Sequence, residues 1–316
     1  MPKPNILLLG KDGQVGRALQ AVLPALGDVT VLGHDALDMR DQGAIAAALD
    51  THRPDVIVNA AAWTAVDQAE REPEAAAQVN AVAVSTLAQH AAARGALLVH
   101  YSTDYVFDGT LARAYTEADA PNPINVYGAT KLAAERAIAA SACDAIVLRC
   151  SWIYALHGRN FFRTVLNLAR TRETLEVVAD QHGAPTPAAL VAQVTSLCLQ
   201  RRRERALPSS PMPSSPLPFN LYHVAAAGST TWHAYAQYLV AGALKRGIRL
   251  KLQPGKIVAV ASSRYAAPAA RPANSRLDTT ALTLATGFRP AAWTTYVDQC
   301  LDDLIASGAD AFFSQT

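Results

Sequence analysis

The chain has 316 residues, 51% hydrophobic and 17% charged, a balance that excludes a disordered polymer and allows a large core. Its formal net charge of +2 gives no general attraction to nucleic acid or to an acidic membrane. Cys143, Cys150, Cys198 and Cys300 are scattered, with no CxxC pair or metal-ligand pattern, so reduced thiols are expected. The apolar run before Gly10 is too short for a signal peptide and no later run is long enough to span a bilayer, so a cytoplasmic location is expected.

Residues 6–9 are apolar without alternation, which predicts a strand buried on both faces. GKDGQVG follows, placing Gly10, Gly13 and Gly16 between that strand and a helix predicted over 15–26. In this setting glycines let backbone approach a pyrophosphate at a helix N-terminus, which points to a dinucleotide; an ordinary tight turn is the simpler reading of the glycines alone. A second strand is predicted over 29–32. Dinucleotide proteins often end this strand on a carboxylate that binds the ribose hydroxyls, but Gly33 and His34 stand here. Loss of that carboxylate removes repulsion against a 2′-phosphate, so NADPH is expected, with NADH as the alternative.

A helix is predicted over 41–48 and a third strand over 55–59, leaving through Ala60, Ala61 and Ala62. Small residues there fit either a ligand pressed on backbone or close helix packing. An alanine-rich helix is predicted from 73 to 94. The fourth strand, 97–101, ends in Ser102, Thr103 and Asp104, at the place where open sheets bind ligands. The loop over 105–122 is long enough to act as a lid or wall. In INVYGATKLAAE, Tyr127 and Lys131 stand four apart, one turn apart on one helical face. An ammonium there favours ionisation of a phenol whose ordinary pKa is ~10, and fits it for proton transfer. A bare YxxxK is common by chance, and a surface Tyr beside a solvated Lys fits it too. A fifth strand follows over 145–148. The alternation predicts an α/β, Rossmann-like doubly wound parallel sheet.

In the second half, residues 161–171 have helical spacing, and Arg163, Arg170 and Arg172 fit either a diphosphate or a solvated face. DQHGAPTP is a loop before a helix predicted over 188–199. The basic run at 201–205 lacks interleaved aromatics, so a nucleic-acid partner is not expected. It runs into PSSPMPSSPLP, and residues 206–217 are expected to form a flexible insertion. A strand over 220–224 is expected to rejoin the first sheet, and helices are predicted over 231–245 and 296–305. Trp232 and Trp293 are expected in the core. The expected organisation is a dinucleotide domain over 1–152, with 185–228 returning to it, and a smaller C-terminal substrate domain of 153–184 and 229–316.

GKDGQVG, NAAAWTAVDQAE, YSTDYVFDG, VYGATK, RCSWIY, DQHGAPT, TTWHAYA and ARPANSRLD together resemble the extended short-chain dehydrogenase/reductases. Within them the set is similar to the dTDP-4-dehydrorhamnose reductase family, over nearly the whole chain. The resemblance implies that Thr103, Tyr127 and Lys131 are catalytic. It implies that Gly13, Gln14, Val15, Asp38, Met39, Ala62, Trp63 and Thr64 contact the cofactor, with Tyr101, Tyr127 and Lys131. Thr103, Asp104 and Trp152 would hold a nucleotide sugar, and Arg271 is a candidate partner for its phosphates. The implied chemistry is reduction of a 4-keto sugar nucleotide, with Tyr127 protonating the new alkoxide, Lys131 binding the nicotinamide ribose and Thr103 orienting the sugar oxygen. A sugar-nucleotide epimerase or dehydratase, and a non-catalytic regulatory subunit of methionine adenosyltransferase, are the alternatives. Some family members are described as dimers bridged by Mg²⁺ through glutamates. The matching positions are Ala18, Ala189 and Thr294, none a carboxylate, so that metal and dimer are not expected and a monomer or weak homodimer is. At Trp63 the nearest relatives carry His.

Overall fold

A computed structural model describes residues 3–205, 220–265, 267–308 and 312–313; the Pro/Ser-rich stretch at 206–217 lies outside the described residues. The apolar runs form a six-stranded sheet in which every pairing is parallel: β1 Asn5–Leu9, β2 Asp28–Leu32, β3 Val56–Asn59, β4 Leu97–Thr103, β5 Ala145–Cys150 and β6 Asn220–Val224. The spatial order is β6-β5-β4-β3-β1-β2, a doubly wound α/β arrangement that reverses direction beside β1. Leu8 pairs with Val31 on one side and Val58 on the other.

Side chains alternate across the sheet, so an unbroken apolar run feeds two cores. Ile6, Leu8 and Val58 pack on one face, against Leu19 of α1 (Gln14–Val22). Leu7, Leu9 and Ile57 pack on the other, against Ile45 and Leu49 of α2 (Gln42–His52), Val84 and Leu87 of α3 (Ala83–Arg94), and Ala134 and Ile138 of α4 (Val126–Ser141). A separate core joins Phe162, Val165 and Leu166 of α5 (Phe161–Thr171) to aliphatic and aromatic residues further on. α6 (Ala188–Arg205) returns to the first face through Leu190, Val191 and Val194. Leu239 and Val240 of α7 (Trp232–Lys245) and Leu301 and Leu304 of α8 (Trp293–Ala306) complete the separate core.

Two helices depart from the expected bounds. α1 stops at Val22, and Leu23–Ala25 continues as a 3-10 turn, because Pro24 has no N–H for the next α-helical bond. The helix expected from 73 to 94 runs through that span, but not with uniform spacing: Gln78–Val82 is a π turn inside it, between Pro73–Ala77 and α3, and a separate short helix, Val66–Arg71, precedes it. A π turn inserts one extra residue into the helix and re-aims a side chain, here Asn80.

α4 enters the sheet under tight control. Asn125 caps it, accepting the Gly128 N–H at 2.7 Å, and the Val126 N–H donates to Glu70 Oε1 at 2.7 Å. A Cβ on Gly128 would lie 2.1 Å from the Tyr105 carbonyl oxygen, so only glycine lets the helix come this close. Further along, Glu135 forms a two-pronged ion pair with Arg149 of β5, at 2.9 and 2.6 Å, and accepts the Ser102 hydroxyl of β4 at 2.5 Å. Both charged side chains are buried, at 3% and 5% exposure, and the guanidinium lies over the Phe107 ring. Removing one partner strands the other charge in the core. Arg149→Met is expected to lower unfolding free energy by about 3–5 kcal/mol in urea titration. A loss below about 1 kcal/mol would show that the pair does not hold the helix to the sheet.

Candidate active site

The turn after β1 and the exits of β2 and β3 make the first half of the site. Gly10 takes φ +83°, and a Cβ there would sit 2.5 Å from the Ala61 nitrogen, so glycine is required on both counts. Gly13 is the N-cap of α1 and no side chain caps that end, which leaves its N–H groups to a ligand. Gly10, Gly13, Asp38, Met39, Ala62 and Trp63 line a cavity of about 390 Å³, together with Gly33 and His34. Arg40, which the sequence reading passed over, stands on the same wall. It grips Asp38 through its side chain at 3.0 and 2.6 Å and its own N–H at 2.9 Å, and these hydrogen bonds hold the Asp38 carboxyl down to about 2. Trp63 is fixed by Asn80 of the π turn, which accepts the Trp63 N–H at 2.8 Å and donates to its carbonyl and to the Thr130 hydroxyl of α4. A buried Asn in an alanine-rich helix carries no sequence mark of that task.

A second cavity, of about 610 Å³, shares Asp12, Gly13, Ala60 and Ala62 with the first. Gln14, Val15, Thr64, Tyr101, Thr103, Asp104, Tyr127, Lys131 and Trp152 all line it. The two cavities meet at the α1 N-terminus. They form one trough, with the Tyr and Lys of α4 at one end. The glycine turn offers the anion cradle that a nicotinamide dinucleotide requires.

The electrostatics of the trough differ from the expectation for Tyr127. Burial pushes the phenol up, and the neighbouring Asp104 adds to this; the Thr103 hydrogen bond opposes them. The phenol is therefore held as a neutral acid in the unliganded chain, and no lowering by Lys131 is felt. Burial pulls Lys131 down to about 8, against Glu135 and Cys150. Its Nζ lies 3.0 Å from Nε2 of His100, a fully buried histidine on β4. His100 reads in the sequence as one residue of a strand, and only the fold reveals it beneath the lysine. Thr103 accepts the Tyr105 N–H at 3.1 Å and donates to Asp104 Oδ1 at 3.1 Å. Asp104 is 4% exposed, and its Oδ2 has no hydrogen-bond partner among the described residues. Burial pushes its carboxyl up to about 6, opposed by the nearby hydroxyls of Ser275, Thr103 and Ser151.

Beyond the trough, Trp152 adopts φ +48° and its ring stacks on Trp232, centroids 3.5 Å apart. Trp232 was expected in the core; it packs there and also lines both the 610 Å³ cavity and a third of about 620 Å³. That third cavity lies between α5, the strand Leu175–Val178, Trp232 and residues from 262–265 and 267–271. Arg271 is on its wall rather than in the trough, and holds Asp67 at 2.8 and 2.7 Å. Arg163 and Arg170 face elsewhere: Arg163 is buried on backbone carbonyls of Leu156 and Phe312, and Arg170 lies over the Phe313 ring. Ala18 and Ala189 line a further cavity of about 330 Å³, where both present methyl groups. Among the described residues no group of three or more His, Cys, Asp or Glu is placed to hold a metal ion. None of the described helices is long and apolar enough to cross a membrane.

Residues 4–306 match the family described as the RmlD substrate binding domain. The chain is 45% identical over 279 residues to dTDP-4-dehydrorhamnose reductase of Salmonella typhimurium, covering 87% of this chain and 89% of that one. The chain belongs to the dTDP-4-dehydrorhamnose reductase family. Within that family it is also 42% identical over 303 residues to the Burkholderia thailandensis reductase, covering 96% and 99% of the two chains. A Bacillus anthracis reductase solved in complex with NADP superposes with a TM-score of 0.82 at 29% identity, over 95% of this chain and 99% of that one.

Asp104 gives a pH signature. Its folded pKa stands above the ordinary 3.8, so its contribution to stability is complete below that value and is lost as pH rises through about 6. Relative to Asp104→Asn, the wild-type protein is expected to lose about 3 kcal/mol of unfolding free energy across that window. Parallel stability–pH curves for the two proteins would sink the assignment.

Proposed function

We propose that the chain reduces the 4-keto group of dTDP-4-dehydro-L-rhamnose, giving dTDP-L-rhamnose at the expense of NADPH. The family membership supports the reaction, and one observation supports its location: Thr103, Tyr127 and Lys131 line a single cavity that opens onto the glycine turn. In this reading Gly10, Gly13, Gln14 and Val15 hold the pyrophosphate side of the cofactor. Asp38, Met39, Ala62, Trp63 and Thr64 hold the adenosine side and the wall beyond, and Tyr101 and Lys131 the far end. NADPH, when bound, supplies the hydride.

The residues of the chain do the rest. Tyr127, kept protonated by burial, gives its hydroxyl proton to the sugar oxygen as negative charge develops there. Thr103, fixed by the Tyr105 N–H, directs the same oxygen. Asp104 offers its unpartnered oxygen to a sugar hydroxyl. Trp232, stacked on Trp152, lines both the trough and the 620 Å³ cavity, and that cavity suits the nucleotide end of the substrate, with Arg271 near its phosphates. The division into a dinucleotide domain and a smaller substrate domain, and a monomer or weak homodimer, belong to the same proposal. An epimerase or dehydratase is less well supported, since Asp104 is the one acid beside Thr103 and no Glu follows it.

The test is direct. NADPH absorbance is expected to fall when the protein meets dTDP-4-dehydro-L-rhamnose, and an unchanged signal would remove the reading. Tyr127→Phe is expected to cut turnover by roughly 10²–10⁴ while leaving NADPH binding within about twofold. Unchanged turnover would take Tyr127 out of the proton-donor role.

A further inference from the structure

The buried chain Ala61–Asn59–His100–Lys131 has a hydrogen-bond arithmetic that the reaction does not explain. The Ala61 N–H donates to Asn59 Oδ1 at 3.1 Å, which fixes the amide's orientation, because a flipped amide would set two donors face to face. The Asn59 NH₂ therefore points at His100 Nδ1, 3.3 Å away. A nitrogen facing that donor must accept, so the imidazole carries its proton on Nε2. Nε2 in turn faces Lys131 Nζ at 3.0 Å. An N–H there needs a lone pair opposite, which an ammonium lacks and an amine has.

We propose that Asn59 locks the tautomer of His100, and that His100 thereby favours the amine form of Lys131, so that in the unliganded protein this lysine gives up its proton far more readily than an ordinary one. His100 is a positioning residue in this account: it acts through Lys131. If Lys131 were charged, one of the three buried contacts would have to break. The remaining neighbours do not repair that loss. Glu135, one turn along α4, is committed to Arg149 and Ser102. Cys150 on β5 is held as a thiol, pushed up to about 12 by burial. Tyr127 on the same helix is a neutral phenol, and burial keeps His100 itself from charging. No carboxylate bonds Lys131 among the described residues, and its side chain is 1% exposed. The site thus biases phenol and amine alike toward their uncharged forms, the direction a dry cavity favours.

The inference rests on the reductase reading only in giving Lys131 a task; the experiment reads Lys131 whatever the chain reduces. The sequence has six lysines, so lysine side-chain ¹³Cε resonances of the full-length unliganded protein are few, and Lys131→Arg identifies the one that matters. Its titration midpoint is expected at about 8 in the wild type. Asn59→Asp supplies an oxygen that accepts from Nδ1–H, frees Nε2 as an acceptor and should raise the midpoint by about one unit or more. His100→Gln presents an oxygen to Lys131 without adding charge, and should raise it likewise. A wild-type midpoint near ~10.4, the ordinary lysine value, would overturn the proposal. So would a midpoint unmoved in His100→Gln, even with a rise in Asn59→Asp, since that would be a plain charge effect. Circular dichroism checks folding. If His100→Gln fails to fold, Asn59→Leu takes its place: it removes the amide donor without adding charge, lets His100 present Nε2 as an acceptor and should raise the midpoint, and an unmoved midpoint there would overturn the proposal.

Discussion

The site depends on how α4 is rotated against the sheet. An ordinary helix turns an apolar stripe inward, but α4 also buries Thr130, Lys131 and Glu135. Each of these must find a partner in the sheet or its loops, and the partners are spread over three places. Thr130 meets Asn80 of the π turn, Lys131 meets His100 of β4, and Glu135 meets Arg149 of β5. Turning the helix by one residue would break all three at once. Polar burial of this kind adds little net stability, because desolvation offsets the attraction. What it adds here is a single rotational setting, which places Tyr127 on the trough.

The second constraint is topological. Strand order reverses beside β1, so connections leave the carboxyl ends of β1 and β3 in opposite directions and a crevice opens between them. Gly10 and Ala60 to Ala62 stand at that opening, and small side chains keep it wide. β4 is longer than its neighbour β3 and ends at Thr103, which carries Ser102, Thr103 and Asp104 past the crevice floor to the α4 side. The glycine-turn end and the Tyr127 end of the trough are thus set by two neighbouring strands of unequal length.

Much of this was legible in the sequence, for identifiable reasons. β1, β3 and β5 are buried on both faces, so their apolar runs stand out, and GKDGQVG and YGATK have few other uses once placed between strand and helix. The π turn inside the helix over 73–94 was not legible, because it leaves alanine spacing unchanged. Asn59, Asn80 and His100 were passed over for a related reason. Each is a lone polar residue in an apolar or alanine-rich run, and its partner is 17 to 50 residues away. That Arg40 and Trp232 also line cavities was not legible, because exposure of a side chain to a cavity depends on loops that the local pattern does not describe. The Tyr127 phenol went the other way from expectation since sequence spacing reveals a neighbouring lysine but not the depth of its burial.

That depth decides the character of the site. Burial shifts Asp104, Tyr127, Lys131 and His100 all toward their neutral forms. A cavity lined by strong resident ions would bind a charged ground state tightly and gain less as charge develops. Here the fixed polarity comes from the uncapped N-terminus of α1 and from oriented hydroxyls, which need no reorganisation when an oxygen becomes negative. Of the permanent charges, Arg271 on Asp67 and Arg40 on Asp38 stay where water still reaches them, and the buried Glu135 and Arg149 neutralise each other. In the proposed reading, the cofactor's pyrophosphate meets the α1 N-terminus where the two cavities join, and the carbonyl meets a buried interior where a neutral phenol is the nearest acid.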